Sequence, residues 1–128
     1  MPEINFNRDC TGIILDGVLD GPNNKRRIQM ALDTGATYCI APFETIEKIG
    51  YEPANSKEII PINTASGLIH APLVRIKSLN VLGEVVENIE ILCHNIPNVS
   101  RIEGLLGLNY LKHFKLTIDF KKGILELE

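Results

Sequence analysis

The 128-residue sequence is poor in aromatic residues and in cysteine. It contains no tryptophan, 5% aromatic residues and three cysteines, Cys10, Cys39 and Cys93. An odd number of widely spaced cysteines argues against a disulfide framework, so we expect reduced, partly buried thiols in a cytoplasmic protein. No segment reaches the ~18 consecutive apolar residues that a membrane span needs. The N-terminus, 1–9, also lacks the basic start and apolar stretch of a signal peptide.

The sequence also lacks an excess of positive charge. Its net charge is -3, which argues against a nucleic-acid-binding surface. The single basic run, Lys25-Arg26-Arg27, follows Gly21-Pro22-Asn23-Asn24, and it favours a solvated hairpin tip over a phosphate site. Asn98-Val99-Ser100 matches a glycosylation acceptor pattern, which has no meaning without secretion.

Metal, cofactor and nucleophile motifs are missing as well. The histidines, His70, His94 and His113, are far apart, and Cys93 and His94 would point to opposite faces of a strand. We therefore expect no metal and no cofactor, and interpret Cys93-His94 as a buried thiol beside a surface imidazole. The remaining alternatives have no supporting motif: a serine nucleophile at Ser66 or Ser100, a cysteine nucleophile at Cys39, and a phosphate loop at 104–107.

What the sequence does contain is a series of strand-length apolar segments separated by turn residues. They lie at 11–15, 18–19, 28–32, 58–60, 68–70, 73–76, 80–82 and 85–93. The pairs Asp16-Gly17 and Asp20-Gly21 favour tight turns. The alternation of residues in 115–120 and 124–128, around Lys121-Lys122-Gly123, predicts a terminal hairpin.

Two short helices complete the prediction. Phe43–Ile49 follows Pro42, has apolar residues at three-residue steps and ends before Gly50. The second helix is predicted at Asn109–Phe114. Together these patterns predict one all-β domain over residues 1–128, with one or two short helices and no interior linker.

Asp33 is the residue most suggestive of chemistry. It ends the apolar strand 28–32 and precedes Thr34, which offers a hydroxyl, Gly35, which permits close backbone approach, and the small Ala36. A carboxylate at the buried end of a strand is costly unless it has partners. From these residues alone, Asp33 is a turn residue, a hydrogen-bonded structural carboxylate or a functional one.

Three segments in order resemble the retropepsin family, which comprises the retroviral proteases, their retrotransposon relatives and single-domain proteins like them. The segments are Asp33–Thr37, Asn63–Gly67 and Gly104–Leu111. The resemblance implies a closed or orthogonal β-barrel that forms a symmetric homodimer. It also implies the following roles: catalytic Asp33; an active-site loop of Thr34, Gly35, Ala36 and Thr37; a substrate-covering flap of Thr64, Ala65, Ser66 and Gly67; and support of the loop by Leu105, Leu106 and Gly107. The sequence departs from the family at Thr37, where relatives often have Asp, and at Leu108-Asn109, where they often have a charged residue.

The chemistry that the resemblance implies requires two subunits. Carboxylate-catalysed peptide hydrolysis uses two carboxylates that share one proton, and the sequence has a single Asp-Thr-Gly. A working site would therefore need Asp33 from each subunit of a homodimer, with Thr34 bonding across the axis. We expect the Gly35 N–H to donate to the carboxylate. Because Ala36 replaces the serine of some relatives, we expect activity at mildly acidic to near-neutral pH.

Two functions remain open at this point. The first is an aspartic endopeptidase that binds a polypeptide substrate as an added strand, with pockets for apolar side chains. The second is a catalytically silent protein of the same fold, used for dimerisation or peptide binding. Intact Asp33-Thr34-Gly35 favours the enzyme, because a binding module has no physical need for paired acidic groups.

Overall fold

A computed structural model describes residues 2–9, 12–97 and 101–128. Within these ranges the chain is mainly β-structure with two short α-helices and one 3₁₀ turn, Pro53–Asn55. The strands are β1 (Glu3–Asn5), β2 (Ile14–Asp20), β3 (Lys25–Leu32), β4 (Cys39–Ala41), β5 (Ile59–Thr64), β6 (Gly67–Val81), β7 (Glu84–Cys93), β8 (Gly104–Leu106), β9 (Leu116–Asp119) and β10 (Ile124–Leu127). The helices are α1 (Phe43–Lys48) and α2 (Leu108–Leu111). No helix in the described ranges is long and apolar enough to cross a membrane.

Six strands close into a barrel. Their order is β2-β3-β8-β4-β7-β6, and β6 pairs back with β2 through Gly17↔Val81 to Asp20↔Ser78. Most neighbours are antiparallel, but β3 pairs with β8 and β4 with β7 in parallel. Closure leaves no free edge on this part of the sheet. The all-β fold with a closed barrel and few short helices confirms that part of the expectation.

The long strand β6 belongs to two structures at once. Its first half pairs with β5 in a hairpin, from Thr64↔Gly67 to Ile59↔Pro72. From Leu73 onwards it pairs with β7 and forms part of the barrel wall. The hairpin therefore projects from the barrel as a direct extension of one of its strands. The sequence pattern had divided this strand into three segments, 68–70, 73–76 and 80–82.

Two apolar clusters lie on opposite faces of the barrel wall. The larger one fills the interior and includes Cys39, Ile91 and Cys93, all 0% exposed. The smaller one consists of Ile40, Ala71, Leu73 and Leu92, with partly buried neighbours that include Tyr38, Ile62, Ile96 and Leu105. Side chains alternate between faces along a strand, so β4 and β7 contribute to both clusters.

The terminal segments form a separate three-stranded antiparallel sheet. Its order is β1-β10-β9, with Ile4 opposite Leu125 and Leu125 opposite Ile118. The predicted terminal hairpin is confirmed, and Asp119 closes its turn by accepting the Lys122 N–H through Oδ1 at 2.9 Å. Phe6 packs edge-on against Phe120 with ring centroids 5.9 Å apart.

Several local predictions need correction. The pair Asp16-Gly17 is no turn but lies in the middle of β2, where a Cβ on Gly17 would clash with the Met30 side chain. The Lys25-Arg26-Arg27 run belongs to β3, and the hairpin tip is the preceding Gly21–Asn24 segment. The two helices are present, but α2 starts one residue earlier than predicted and is shorter. Thr11, Cys10 and the Asn98-Val99-Ser100 pattern lie outside the described residues.

Candidate active site

Asp33 begins the loop that follows β3. Its backbone N–H donates to the Leu106 carbonyl at 3.0 Å, which joins the loop to β8. The Gly35 N–H donates to Asp33 Oδ1 at 2.9 Å, as the sequence predicted, and the Ala36 N–H donates to the Asp33 carbonyl at 3.2 Å. The carboxylate is half-buried, so its position is fixed by the loop while solvent still reaches it.

The backbone at the start of α2 is hydrogen-bonded to this loop. The Leu108 N–H donates to the Ala36 carbonyl at 2.8 Å, and the Asn109 N–H donates to the Thr37 carbonyl at 3.1 Å. A Cβ on Gly107 would lie 2.6 Å from the Tyr38 carbonyl oxygen and 2.8 Å from that of Ala36. Only glycine allows the two backbone segments to approach this closely. The Leu106 carbonyl and the Gly107 backbone thus contact the loop region, whereas Leu105 lies opposite Ile40 of β4.

Asn109 is a structural residue of the site that the sequence analysis noted only as a departure from the family pattern. Its Oδ1 accepts the Cys39 N–H at 2.8 Å, and its Nδ2 donates to the Glu90 carbonyl at 2.7 Å. One side chain thus joins α2 to both β4 and β7. The sequence signal was a single carboxamide within an otherwise apolar segment, where a buried polar group needs partners.

Two further buried groups hold the same region. The Tyr110 hydroxyl is fully buried and donates to the Glu84 carbonyl at 2.7 Å, with the Val81 carbonyl at 3.3 Å. Burial raises the pKa of this hydroxyl. The Cys39 Sγ accepts the Gly107 N–H at 3.3 Å, and burial raises the pKa of that thiol to about 11. A thiol that stays protonated is a poor nucleophile, which argues against chemistry at Cys39.

The tip of the β5–β6 hairpin faces the loop across an open space. Thr64 Oγ1 donates to the Gly67 carbonyl at 2.9 Å and accepts the Ser66 N–H at 3.2 Å. Gly67 has a φ of 113°, a conformation that favours glycine. The turn predicted at Asn63–Gly67 is therefore present, with Ala65 and Ser66 exposed at its tip.

A cleft of about 600 Å³ separates the loop from the hairpin. Of the residues proposed from the sequence, Asp33, Gly35, Ala36, Thr37, Thr64 and Leu105 line it. The others, Thr34, Ala65, Ser66, Gly67, Leu106 and Gly107, do not. Asn63, the first residue of the predicted Asn63–Gly67 turn, also lines the cleft. The lining is completed by residues that the sequence did not indicate, namely Tyr38, Ile40, Pro61, Ile62, Leu92, His94 and Ile96. The alternating positions 92, 94 and 96 were a usable signal, because alternate residues of an extended chain share one face.

The other candidate sites gain no support. Within the described ranges, no three His, Cys, Asp or Glu residues are grouped so as to hold a metal. Cys93 is buried as expected, but His94 is half-buried in the cleft wall rather than on an open surface. Gly104 contacts the barrel so closely that a Cβ would clash with the Ile40 carbonyl, which supports close packing over a phosphate loop. Ser100 lies outside the described residues.

Comparisons with known proteins agree with this geometry. The model of the family described as "gag-polyprotein putative aspartyl protease" matches residues 19–113. The crystal structure of a retropepsin-like aspartic protease from Rickettsia conorii superposes with a TM-score of 0.73 at 26% identity, covering 98% of this chain and 87% of that one. An uncharacterized protein encoded in the cobV 5′ region of a Sinorhizobium species is 37% identical over 54 residues. Those residues are 42% of this chain and 23% of that relative, so the chain spans less than a quarter of its length. With the family match, the fold and the Asp-Thr-Gly loop in agreement, the chain belongs to the retropepsin-like aspartic protease family.

Proposed function

We propose that the protein is an aspartic endopeptidase in which Asp33 of two identical subunits activates the hydrolytic water. The observation that carries the proposal is the position of Asp33 at the base of a cleft that is covered by a hairpin. One carboxylate would accept a proton from the water while the other, protonated, would polarise the scissile carbonyl. The region 1–128 would act as one catalytic domain. Buried free thiols at Cys39 and Cys93 are compatible with a reducing compartment such as the cytoplasm.

The proposal of a homodimer rests on the stoichiometry of the acid groups. Asp33 is the sole carboxylate that lines the cleft among the described residues, whereas the mechanism needs two that share a proton. Thr34 and Gly35 are exposed next to Asp33, so this side of the loop is open to a second copy. A twofold axis beside Asp33 would bring the two carboxylates together and let Thr34 bond to the opposite loop.

The proposed substrate is an extended polypeptide. The cleft has a floor of Ile40, Leu92 and Leu105 and a roof that includes Asn63 and Thr64 of the hairpin. An extended chain can pair its backbone with such a hairpin while its side chains enter apolar pockets. Thr64, Ala65, Ser66 and Gly67 would then act as the flap, and the Leu105-Leu106-Gly107 segment would hold the catalytic loop in place.

The direct test is the Asp33→Asn substitution. We expect cleavage of a mixed peptide library by the unaltered protein, and a fall of about 10²–10⁴-fold in the variant, because an amide cannot transfer the proton. The matched control is Asp16→Asn, which removes an exposed carboxylate on β2 and should leave cleavage unchanged. Equal cleavage by the unaltered protein and Asp33→Asn, or none by either, would contradict the protease function.

Two further measurements test the shared dyad. Sedimentation should show a dimer at the concentrations at which cleavage is seen, and a species that is purely monomeric would contradict the arrangement. The rate should be highest at mildly acidic to near-neutral pH, because Ala36 offers no hydroxyl to stabilise the ionised carboxylate. A maximum below about pH 3 would contradict that assignment.

The second candidate function is a catalytically silent dimerisation or peptide-binding module of the same fold. It is favoured by the presence of a complete cleft and hairpin, which can bind a peptide without turnover. Binding of library peptides with equal affinity by the unaltered protein and Asp33→Asn, without cleavage by either, would support this alternative.

A further inference from the structure

His94 lies in the wall of the cleft, although the mechanism proposed above does not use it. The chain alternates between two faces as it leaves β7: Cys93, the last residue of the strand, packs in the barrel core, whereas Leu92, His94 and Ile96 line the cleft. The backbone N–H of His94 donates to the Ala41 carbonyl at 3.0 Å, which fixes the backbone at this point. The imidazole is therefore held at the cleft surface by its strand register.

The chemical surroundings of His94 differ from those of the rest of the cleft. Its neighbours on the same face, Leu92 and Ile96, are apolar, and among the described residues that line the cleft it has the one side chain that can carry a positive charge. Within the parts of the chain that the structure describes, its imidazole has no hydrogen-bond or ion-pair partner. An imidazole N–H can donate to an oxygen, and a half-buried donor without a partner gains most when a ligand supplies one.

The strand register separates His94 from Asp33. Ile40 lies opposite both Leu105 of β8 and Leu92 of β7, and Leu106 lies opposite Leu32, which precedes Asp33. Following these pairs across the sheet places Asp33 level with Glu90, four residues before His94. Four residues of strand span roughly 13 Å. His94 is thus too far from Asp33 to exchange a proton with it. An extended substrate that runs along β7 would bring to His94 a residue roughly four positions from the scissile bond.

We propose that His94 is the specificity-determining residue of a distal subsite, and that it selects peptides with a carboxylate side chain at that position. The inference rests on the proposed peptidase function and deepens it, since apolar pockets alone would give no such preference. The imidazole donates to the substrate carboxylate, while the stem of that side chain packs on Leu92 and Ile96. An apolar side chain at the same position would cover the imidazole without accepting its N–H. A substrate that leaves a covered polar group unpaired is bound more weakly than one that pairs with it.

The test uses one peptide that the unaltered protein cleaves, with its scissile bond mapped. Positions three to five residues away on each side are replaced one at a time by Glu, Gln or Leu, and kcat/KM is measured for each peptide. We expect Glu to exceed Leu about tenfold or more at one of these positions. The His94→Leu variant should abolish this preference through KM with little change in kcat, whereas His94→Gln, which keeps an N–H donor, should retain part of it.

The matched control is His70→Leu, because His70 is exposed on β6 and does not line the cleft. It should leave the Glu-to-Leu ratio unchanged. A ratio near one in the unaltered protein, or the same ratio in His94→Leu, would overturn the role of His94 while leaving the peptidase intact.

A binding measurement keeps the two proposals separate. If no peptide is cleaved, the peptidase function fails. A library peptide that binds the Asp33→Asn protein is then changed to Glu, Gln or Leu at one position at a time, and each peptide is titrated by calorimetry against that protein with and without His94→Leu. Tighter binding of the Glu peptide that depends on His94 supports the subsite on its own. Equal affinity for the Glu and Leu peptides overturns it. Circular dichroism and the Tm of each variant establish that the fold is retained.

Discussion

The two sides of the cleft are held in different ways. The Asp33–Tyr38 loop is bound to β8 and α2 by backbone hydrogen bonds, and α2 is joined to β4 and β7 through Asn109. The Thr64–Gly67 tip, in contrast, is closed by hydrogen bonds among its own residues. The loop therefore takes its stability from the barrel, whereas the tip can open without disturbing any other part of the described chain.

This difference suits the proposed peptidase site, which would have to hold a reacting group and also admit a polypeptide. Catalytic groups lose efficiency when displaced by about 1 Å, so a loop fixed by distant strands is an advantage. A covering hairpin must move to let a long chain enter. Substitutions on the two sides should therefore separate global stability from local opening.

The largest effect on the free energy of unfolding is expected for Asn109→Leu. It leaves the Cys39 N–H and the Glu90 carbonyl without their partner, and each buried polar group left unpaired costs about 1–3 kcal/mol. We expect the free energy of unfolding in urea to fall by about 2–4 kcal/mol, and kcat to fall with it as the loop shifts. The control Asn95→Leu removes an acceptor of the Phe43 N–H at an exposed helix start and should cost about 1 kcal/mol. Similar losses in both variants would contradict the supporting role of Asn109.

A smaller effect concerns the thiols behind the loop. Burial raises the pKa of Cys39 from 9.0 to about 11; burial and the nearby Glu47 carboxylate raise that of Cys93 to about 12. This contribution to stability is fully present below pH 9, where the thiols are protonated in both states. It is lost as the pH rises from about 9 to 11 for Cys39 and from about 9 to 12 for Cys93, because each thiol ionises first in the unfolded chain. We expect Cys39 to account for a decrease of about 2 kcal/mol over that range.

The Cys39→Ala variant isolates this contribution. It lowers stability at pH 7, since it removes the acceptor of the Gly107 N–H, but its urea midpoint should depend less on pH between 9 and 11. An unchanged dependence on pH would show that the Cys39 thiol titrates in the folded protein as it does in the unfolded chain.

The smallest effect on stability is expected for Thr64→Val at the hairpin tip. Valine keeps the shape of the side chain and removes two hydrogen bonds whose partners are exposed, so global unfolding should change by less than about 0.5 kcal/mol. The Ser66 amide should exchange with solvent faster, and KM should rise a few-fold. A loss of global stability close to that of Asn109→Leu would mean that the tip is coupled to the barrel after all.

The sequence predicted those features that depend on local patterns. The terminal hairpin, the helix after Pro42 and the turn at Asn63–Gly67 each have their own turn or periodicity signal, and each is present. The donation of the Gly35 N–H to Asp33 was also predictable, because it links residues two apart.

The features that the sequence did not predict arise from contacts between distant segments. Gly17 looked like a turn residue, but it is small because Met30 and Leu79 pack against β2 from the neighbouring strands. The sequence marked Asn109 only as a departure from the family pattern and His94 only as a surface imidazole, because their contacts depend on which strands lie beside α2 and β7. Pairing between remote strands is not encoded in any short window of sequence.

The smaller apolar cluster has a consequence for how the family can diversify. Ile40 and Leu92 form the buried part of the cleft floor, while their strand neighbours fill the barrel core. A mutation that reshapes this floor therefore also disturbs the packing of the barrel core and lowers stability. The floor should for that reason change slowly during evolution. Tyr38 and Ile96 pack against the same cluster and, like His94 in the cleft wall, are only half-buried. New substrate preferences should emerge first at such half-buried positions, because a substitution there changes the cleft surface with little loss of stability.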